Sequence, residues 1–384
     1  MIEDLSLVLV WLAAVFCVVT AGVHFVSILV VTLRGRLAVG RIPAKLPAHP
    51  PVSILRPVCG LENSIEETLR SGFAIDYPEF EIIFCVALAD DPVIPLVQRI
   101  MAEHPNVPSR ILVGDDRISI NPKLNNLVKG WKAARHDWIV MADSNVLMPP
   151  DYLLRMLDRW VPGTGLVCSP PLGSAPDGAF GELECAFLNT FQARWQLFSD
   201  AIGNGFAQGK SMLWRRENLD RHGSIEALAA DPAEDAASTK VIRRAGLDVH
   251  LVHLPFPQPI GRRSMKAVWS RQLRWARLRR VTFPVFFCAE LVVGGVFPIL
   301  AAAFLAVEGA VPFWSVAAFA VAWYGAEVLM AIGLGWRAGV RPTLALIARD
   351  LSLPFLWVAA ISGSGFEWRG NQMNVKEDSL MVTK

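Results

Sequence analysis

"FEIIFCVALADD", Phe80 to Asp91, is the stretch whose reading decides the fold. It is apolar almost without alternation and then ends in two carboxylates. A strand that is apolar on both sides is covered on both faces, which is the condition of a parallel sheet flanked by helices. "VSILRPV" (Val52 to Val58), "RILVG" (Arg110 to Gly114) and "WIVMAD" (Trp138 to Asp143) read the same way, and helical segments separate them. That alternation predicts an α/β nucleotide-binding domain with a mostly parallel, Rossmann-like sheet. Ligands of such sheets bind beyond the carboxyl ends of the strands. Asp90 and Asp91 after the second run, and Asp143 in "MADSN" after the fourth, are therefore the residues to examine. Taken singly, an aspartate at such a junction caps a helix equally well.

The flanks are of another kind. The chain has 384 residues, of which 53% are hydrophobic and 19% charged, too apolar for a pair of soluble domains. From Leu5 to Leu33 there is no charged residue, longer than the roughly 20 apolar residues that cross a bilayer. Glu3 and Asp4 precede this run, which disfavours a cleaved signal peptide. Arg34, Arg36, Arg41 and Lys45 follow it, so the positive-inside rule places the N-terminus outside and the α/β domain in the cytoplasm. Val281 to about Val307 and Val311 to Gly335 form a second apolar pair with a short connection, a membrane hairpin. Glu290 and Glu327 lie within it and are expected to be interfacial or paired. Thr343 to Gly363 is interrupted by Arg349, Asp350 and Pro354, and is expected to be a re-entrant or interfacial segment followed by a cytoplasmic tail. The chain thus divides into an anchor (1–36), the α/β domain (37–263), an interfacial helix (264–280), the hairpin (281–336) and the terminal segment (337–384).

Other features carry less. The net charge of +2 says little about partners. Cys17, Cys59, Cys85, Cys168, Cys185 and Cys288 form no CxxC pair and read as buried, reduced thiols. "GNGFAQGKS" (Gly203 to Ser211) ends like a phosphate-binding loop, but Asn204 stands where the first glycine is required. It remains a glycine-rich loop with Lys210 near a ligand. "SRQLRWARLRR" (Ser270 to Arg280) precedes the hairpin; helical spacing puts Trp269, Leu273 and Ala276 on one face and Arg271, Trp275 and Leu278 on the next. This is an amphipathic helix at the bilayer surface, with Arg277, Arg279 and Arg280 as lipid-phosphate anchors. Nucleic acid is excluded as a partner, because a chain tethered at both ends lacks the free basic face such binding needs.

"ALADDP", "NPKLNNL" (Asn121 to Leu127), "ADSN", "AED" (Ala233 to Asp235), "RQLRW" (Arg271 to Trp275) and "WRG" (Trp368 to Gly370) together, in this order and around these spans, resemble the ceramide glucosyltransferase family, including bacterial hopanoid-associated glycosyltransferases. "RQLRW" fits that family's (Q/R)xxRW signature. The resemblance implies a GT-A catalytic domain, a UDP-sugar donor, a membrane lipid acceptor and a Mg or Mn cofactor. It also implies roles: Asp91, Lys123 and Asn126 bind the donor, Asp143 acts near metal and diphosphate, Asp235 is the general base, and Arg271, Arg274 and Trp275 close over the reactants. Two departures count. Asp143-Ser144-Asn145 replaces the DxD of most GT-A enzymes, removing one carboxylate ligand, and "NTFQARWQ" lacks the histidine of animal members. One base attacking in line implies inversion at the sugar carbon. The expected protein is a multi-pass enzyme of a bacterial inner membrane that moves glucose or a similar sugar to a ceramide-type lipid. Transfer of N-acetylglucosamine from its UDP donor to a hopanoid polyol is the alternative acceptor reading. A silent membrane scaffold that binds a sugar nucleotide is the alternative of another class, and Asp235 together with Arg271 and Trp275 argues against it.

Overall fold

The computed structural model describes residues 2–40, 49–368 and 371–374. Arg41, Lys45, the Arg369-Gly370 part of "WRG" and the tail beyond 374 lie outside the described residues. The strands of the main sheet are β1 (Val52–Val58), β2 (Phe80–Val86), β3 (Ser109–Val113), β4 (Trp138–Ala142), β5 (Thr164–Ser169), β7 (Ser211–Arg215) and β8 (Asp248–Leu251). Their order is β3-β2-β1-β4-β7-β5-β8. Strands β1 to β4 run parallel, with Val52 beside Phe80 on one side and Trp138 on the other, and β7 runs antiparallel between β4 and β5. The unbroken apolar runs have the predicted cause: Ile54 and Phe84 enter the core on one face, while Leu55 and Ile83 enter the core on the other. All four are fully buried, each contributing about 1.5–3 kcal/mol relative to exposure. Strand β3 is only half-buried because it is the sheet edge.

In the α/β domain lie α2 (Ile65–Ser71), α3 (Val93–Glu103), α4 (Pro122–Ala133), α5 (Tyr152–Leu157), α6 (Gly178–Ala186), α7 (Arg194–Ala201), α8 (Arg216–Asp220) and α9 (Glu234–Arg244). A π-helical segment, Phe187–Ala193, joins α6 to α7, and β6 (Leu172–Asp177) pairs in parallel with β9 (Pro257–Arg262). The start of α4 is fixed locally: the Asn121 side chain accepts from the Lys123 and Leu124 amides, and Pro122 occupies the first turn. Helix α10 (Met265–Thr282) confirms the helical reading of the arginine-rich stretch, with the Ser264 hydroxyl as its cap. Its buried stripe is Val268, Gln272 and Ala276, so of the expected Trp269-Leu273-Ala276 face only Ala276 is fully turned inward, while Trp269 and Leu273 pack alongside.

Helices α1 (Ile2–Ala38), α13 (Phe313–Gly333) and α14 (Val340–Ser362) are each long and apolar enough to cross a membrane. The pair α11 (Pro284–Val293) and α12 (Val296–Val307) qualifies together, with a 48° bend at Gly294-Gly295. A hairpin of strands β10 (Gly365–Trp368) and β11 (Asn371–Asn374) follows α14.

The expected interrupted segment is thus one helix, α14, continuous through Pro354. Its charges are neutralised inside the protein: Arg349 pairs with Glu327 of α13 at 3.0 Å and with Asp350 at 2.7 Å, and Asp350 accepts from the Gly295 amide at 2.7 Å. Arg194 of α7 joins at 3.6 Å from Glu327 and 3.1 Å from the His24 ring of α1. Glu290 pairs with Arg279 at 2.9 Å, as a paired role requires. Arg277, Arg279 and Arg280 all depart from the anchoring expectation: Arg279 is taken by Glu290, and Arg277 and Arg280 donate to the Ala359 and Ile361 carbonyls at 3.0 and 2.7 Å. These are orphan acceptors at the C-terminal end of α14, which a guanidinium satisfies. Among the described residues the six cysteines form no disulfide, but Cys59 and Cys288 are exposed and not buried as expected. Removing Arg349 as Arg349→Ala leaves two buried carboxylates short of their partner, and the detergent-purified protein is expected to lose about 3–5 kcal/mol of stability, read as a lowered unfolding midpoint. Arg99→Ala, at the solvent-exposed pair with Glu66, should leave the midpoint unchanged.

Candidate active site

The site is built where β4 and β7 end together. Because Ala142 pairs with Ser211 in the antiparallel ladder, the next residues outward, Asp143 and Lys210, are neighbours, and the Asp143 amide donates to the Lys210 carbonyl at 3.0 Å. The Lys210 ammonium then reaches Asp143 Oδ2 at 2.8 Å. From the first turn of α4, Lys123 reaches Asp143 Oδ1 at 2.7 Å and Glu234 Oε1 at 2.6 Å, and it donates to the Gly209 carbonyl. The second Glu234 oxygen accepts from the Asn121 side chain at 2.7 Å. Beside it, Asp235 Oδ2 accepts from the Gly209 amide at 3.0 Å and Oδ1 from the Ala236 amide at 2.8 Å, at the N-terminus of α9 where a carboxylate is favoured. Position 209 has no room for a side chain: a Cβ there would lie 2.5 Å from Glu234 and 2.9 Å from Lys123.

Electrostatics separate Asp235 from Asp143. Burial pushes Asp235 up, and the neighbouring Glu234 charge adds to it, so that its pKa is about 6. Burial acts on Asp143 in the same direction, but Lys123 and Lys210 outweigh it and hold that carboxyl well below the usual range. Burial would lower Lys123, and Asp143 and Glu234 outweigh that, keeping it charged. One acid near neutrality beside one that stays ionised is the pairing expected of a base and a charge-holding group.

Helix α10 reaches this cluster through Trp275, whose ring centroid is 5.7 Å from the Lys210 ammonium and which packs on Cys185, Leu188 and Ile260. Arg271 pairs with the buried Glu184 of α6 at 2.9 Å, and Arg274 is half-buried on the same helix. Lys123, Asp143, Asp235 and Trp275 are therefore brought together. Asp91 and Asn126 lie on the β2 side, and their polar atoms engage the protein. Asp91 accepts from the Gly60 and Val93 amides, each at 2.9 Å, capping α3 and pinning the loop after β1. Asn126 donates to the Cys85 carbonyl at 2.6 Å and accepts from Lys129.

Lys210, which sequence reasoning offered only as a loop lysine near a ligand, and Glu234, to which it gave no role, gain definite partners. Glu234 stood in the quoted "AED", and a long-range pairing, invisible in sequence spacing, brings Lys210 in. Among the described residues no group of three His, Cys, Asp or Glu side chains is arranged to hold a metal. A buried Asn145 Oδ1 without a hydrogen-bond partner nevertheless stands two residues from Asp143, whose own two oxygens are engaged by Lys123 and Lys210. A cation met by so few protein oxygens keeps waters and takes further ligands from phosphates.

Comparison with known proteins gives the family and the fold. The model of glycosyl transferase family 21 matches residues 13–381. Ceramide glucosyltransferase 1 of Caenorhabditis elegans is 25% identical over 338 residues, covering 86% of this chain and 72% of its own. The ceramide glucosyltransferase of Komagataella phaffii is 33% identical over 249 residues, covering 57% and 49%. Among solved structures, the mannosyltransferase PcManGT of Pyrobaculum calidifontis, in complex with GDP-Man and Mn2+, superimposes with a TM-score of 0.50 at 18% identity, over 91% of this chain and 98% of its own. That likeness shows the fold as GT-A-like. A hexosyltransferase follows from the family and its relatives, and the chain belongs to glycosyl transferase family 21.

Proposed function

We propose that this enzyme moves glucose or a similar hexose from a UDP-sugar to a hydroxyl of a ceramide-type membrane lipid, with inversion at the sugar carbon. One observation carries the reading: Trp275 on α10, which leads directly into α11, stands against Lys210, and Lys210 holds Asp143. On this reading the charged cluster lies near the level where a membrane lipid presents its hydroxyl. A soluble acceptor would not need that placement.

Asp235 takes the proton of the attacking hydroxyl. Its two backbone hydrogen bonds fix the carboxylate, and its raised pKa makes it a usable base near neutrality. Lys123 and Lys210, with Arg271 and Arg274, place positive charge where the diphosphate leaves. Asp91 and Asn126 shape the nucleotide edge through the backbone they hold. Asp143 and Asn145 would hold Mg2+ or Mn2+, which supplies charge neutralisation for the departing diphosphate. The α/β domain faces the cytoplasm of a bacterial cell. In support of that orientation, the arginine-bearing end of α1 is the end that meets the domain, with Arg34 paired to Asp200 at 2.6 Å.

Incubation with UDP-glucose or UDP-N-acetylglucosamine and either ceramide or a hopanoid polyol, followed by mass spectrometry, is expected to yield a glycosylated ceramide. Asp235→Asn should reduce its formation by about 10²–10⁴-fold; full activity in that variant would remove Asp235 as base, and an α-linked product from the α-linked donor would refute inversion. Because Asp235 must be ionised, the rate should rise with pH to a plateau, with its midpoint near 6, and should fall about tenfold per pH unit below it. Restoring the second carboxylate as Asn145→Asp should tighten Mn2+ binding, read by calorimetry; an unchanged affinity would place the cation elsewhere.

A further inference from the structure

Two buried side chains beside the cluster are left half-satisfied. Gln192, in the π-helical segment, and Gln196, one turn on in α7, are 8% and 5% exposed, and the Oε1 of each has no hydrogen-bond partner. Their amide nitrogens are used. Gln192 Nε2 donates to Gln272 Oε1 of α10 at 3.1 Å, and Gln196 Nε2 donates to the Gln208 side chain. Gln208 adjoins Gly209, whose amide holds Asp235, while Gln272 adjoins Arg271. The pair thus bridges the helix at the membrane surface and the loop that fixes the proposed base. A spacing of four residues puts both on one helix face. An unpaired buried amide oxygen is unfavourable, and π-helical turns occur most often at functional sites.

We propose that Gln192 and Gln196 recognise the head of the acceptor, each amide oxygen accepting a hydrogen bond from an O–H or N–H other than the hydroxyl that reacts. This rests on the lipid-acceptor reading above and narrows it. The acceptor is a neutral lipid whose head carries further donors, such as a second hydroxyl or an amide N–H. An anionic phosphate or carboxylate head brings only acceptor oxygens and is rejected. A site built to hydrogen-bond a group discriminates strongly against an analogue that lacks it.

The test compares acceptors of the wild-type enzyme with UDP-glucose as donor: short-chain ceramide, its analogue with the second hydroxyl removed and the amide methylated, and dodecanol. The expected kcat/KM for ceramide is at least about tenfold above that for the other two, from two hydrogen bonds. Gln192→Leu and Gln196→Leu should each raise the KM for ceramide by about three- to tenfold and shrink the preference, with UDP affinity by calorimetry unchanged. Equal kcat/KM for all three acceptors in the wild type, which needs no variant to fold, overturns the proposal. So does a preference that survives in both variants, or a loss of UDP affinity in step with the loss of ceramide transfer, which would mark a merely structural role. Failure of the underlying reading looks different: the wild type binds UDP but forms no glycolipid from any acceptor, and both inferences then fall.

Discussion

The grip of Lys123 and Lys210 on the two oxygens of Asp143 is the constraint around which the site is arranged. It joins three elements distant in sequence: the first turn of α4, the end of β4 and the residue before β7. Each ammonium is taken out of water, so each needs its carboxylate, and the carboxylate stays ionised because both are present. Lys123 extends the arrangement to Glu234, and burial together with the Glu234 charge makes Asp235 hold its proton more tightly than an ordinary carboxyl. The proposed base is thus tuned by its burial and by a glutamate and a lysine that need not touch the sugar. Gly209 is the mechanical consequence, since its carbonyl serves Lys123 and its amide serves Asp235 in a space that admits no Cβ.

A second set of charges ties the membrane helices to this domain. Arg194 and the π-helical segment reach from the α/β side, Glu327 and Arg349-Asp350 come from α13 and α14, and His24 from α1. The ends of α14 are held as well, by Arg337 with Glu182 at 2.6 Å before its start and by Arg277 and Arg280 at its last carbonyls. Buried ion pairs contribute little net stability but make a broken arrangement costly, so they fix how the elements are disposed. Helix α14 is thereby laid against α6 and α10, the elements that carry Glu184 and the Arg271-Trp275 motif. Its arginine and aspartate, which look like an interruption of an apolar run, are the means of that docking.

Legibility in the sequence followed the range of the forces involved. Strands β1, β2 and β4 were readable because burial on both faces leaves a local, continuous apolar signature. The start of α4 was readable because an asparagine cap and a proline act within one turn. Strand β7 was not, since "SMLWR" is short and its antiparallel pairing depends on β4, far away in the chain. For the same reason Lys210 remained only a candidate. Arg277 and Arg280 were misread as lipid anchors because a basic run beside a membrane helix looks alike whether its partners are phosphates or helix-end carbonyls.

By itself the sequence determined the parallel α/β core, the apolar helices on both sides of it, the helix over the arginine-rich stretch and the acidic residues that end strands β2 and β4. These follow from periodicity and short-range capping, which are properties of neighbouring residues. Only the tertiary structure decided that Asp143 is shared by two lysines, that Asp235 is raised by burial and by Glu234, that Arg271 is held by Glu184, and that Gln192 and Gln196 keep an oxygen unpaired. Charge and hydrogen-bond partners act over a few ångströms of space whatever their separation along the chain, so no spacing in the sequence records them.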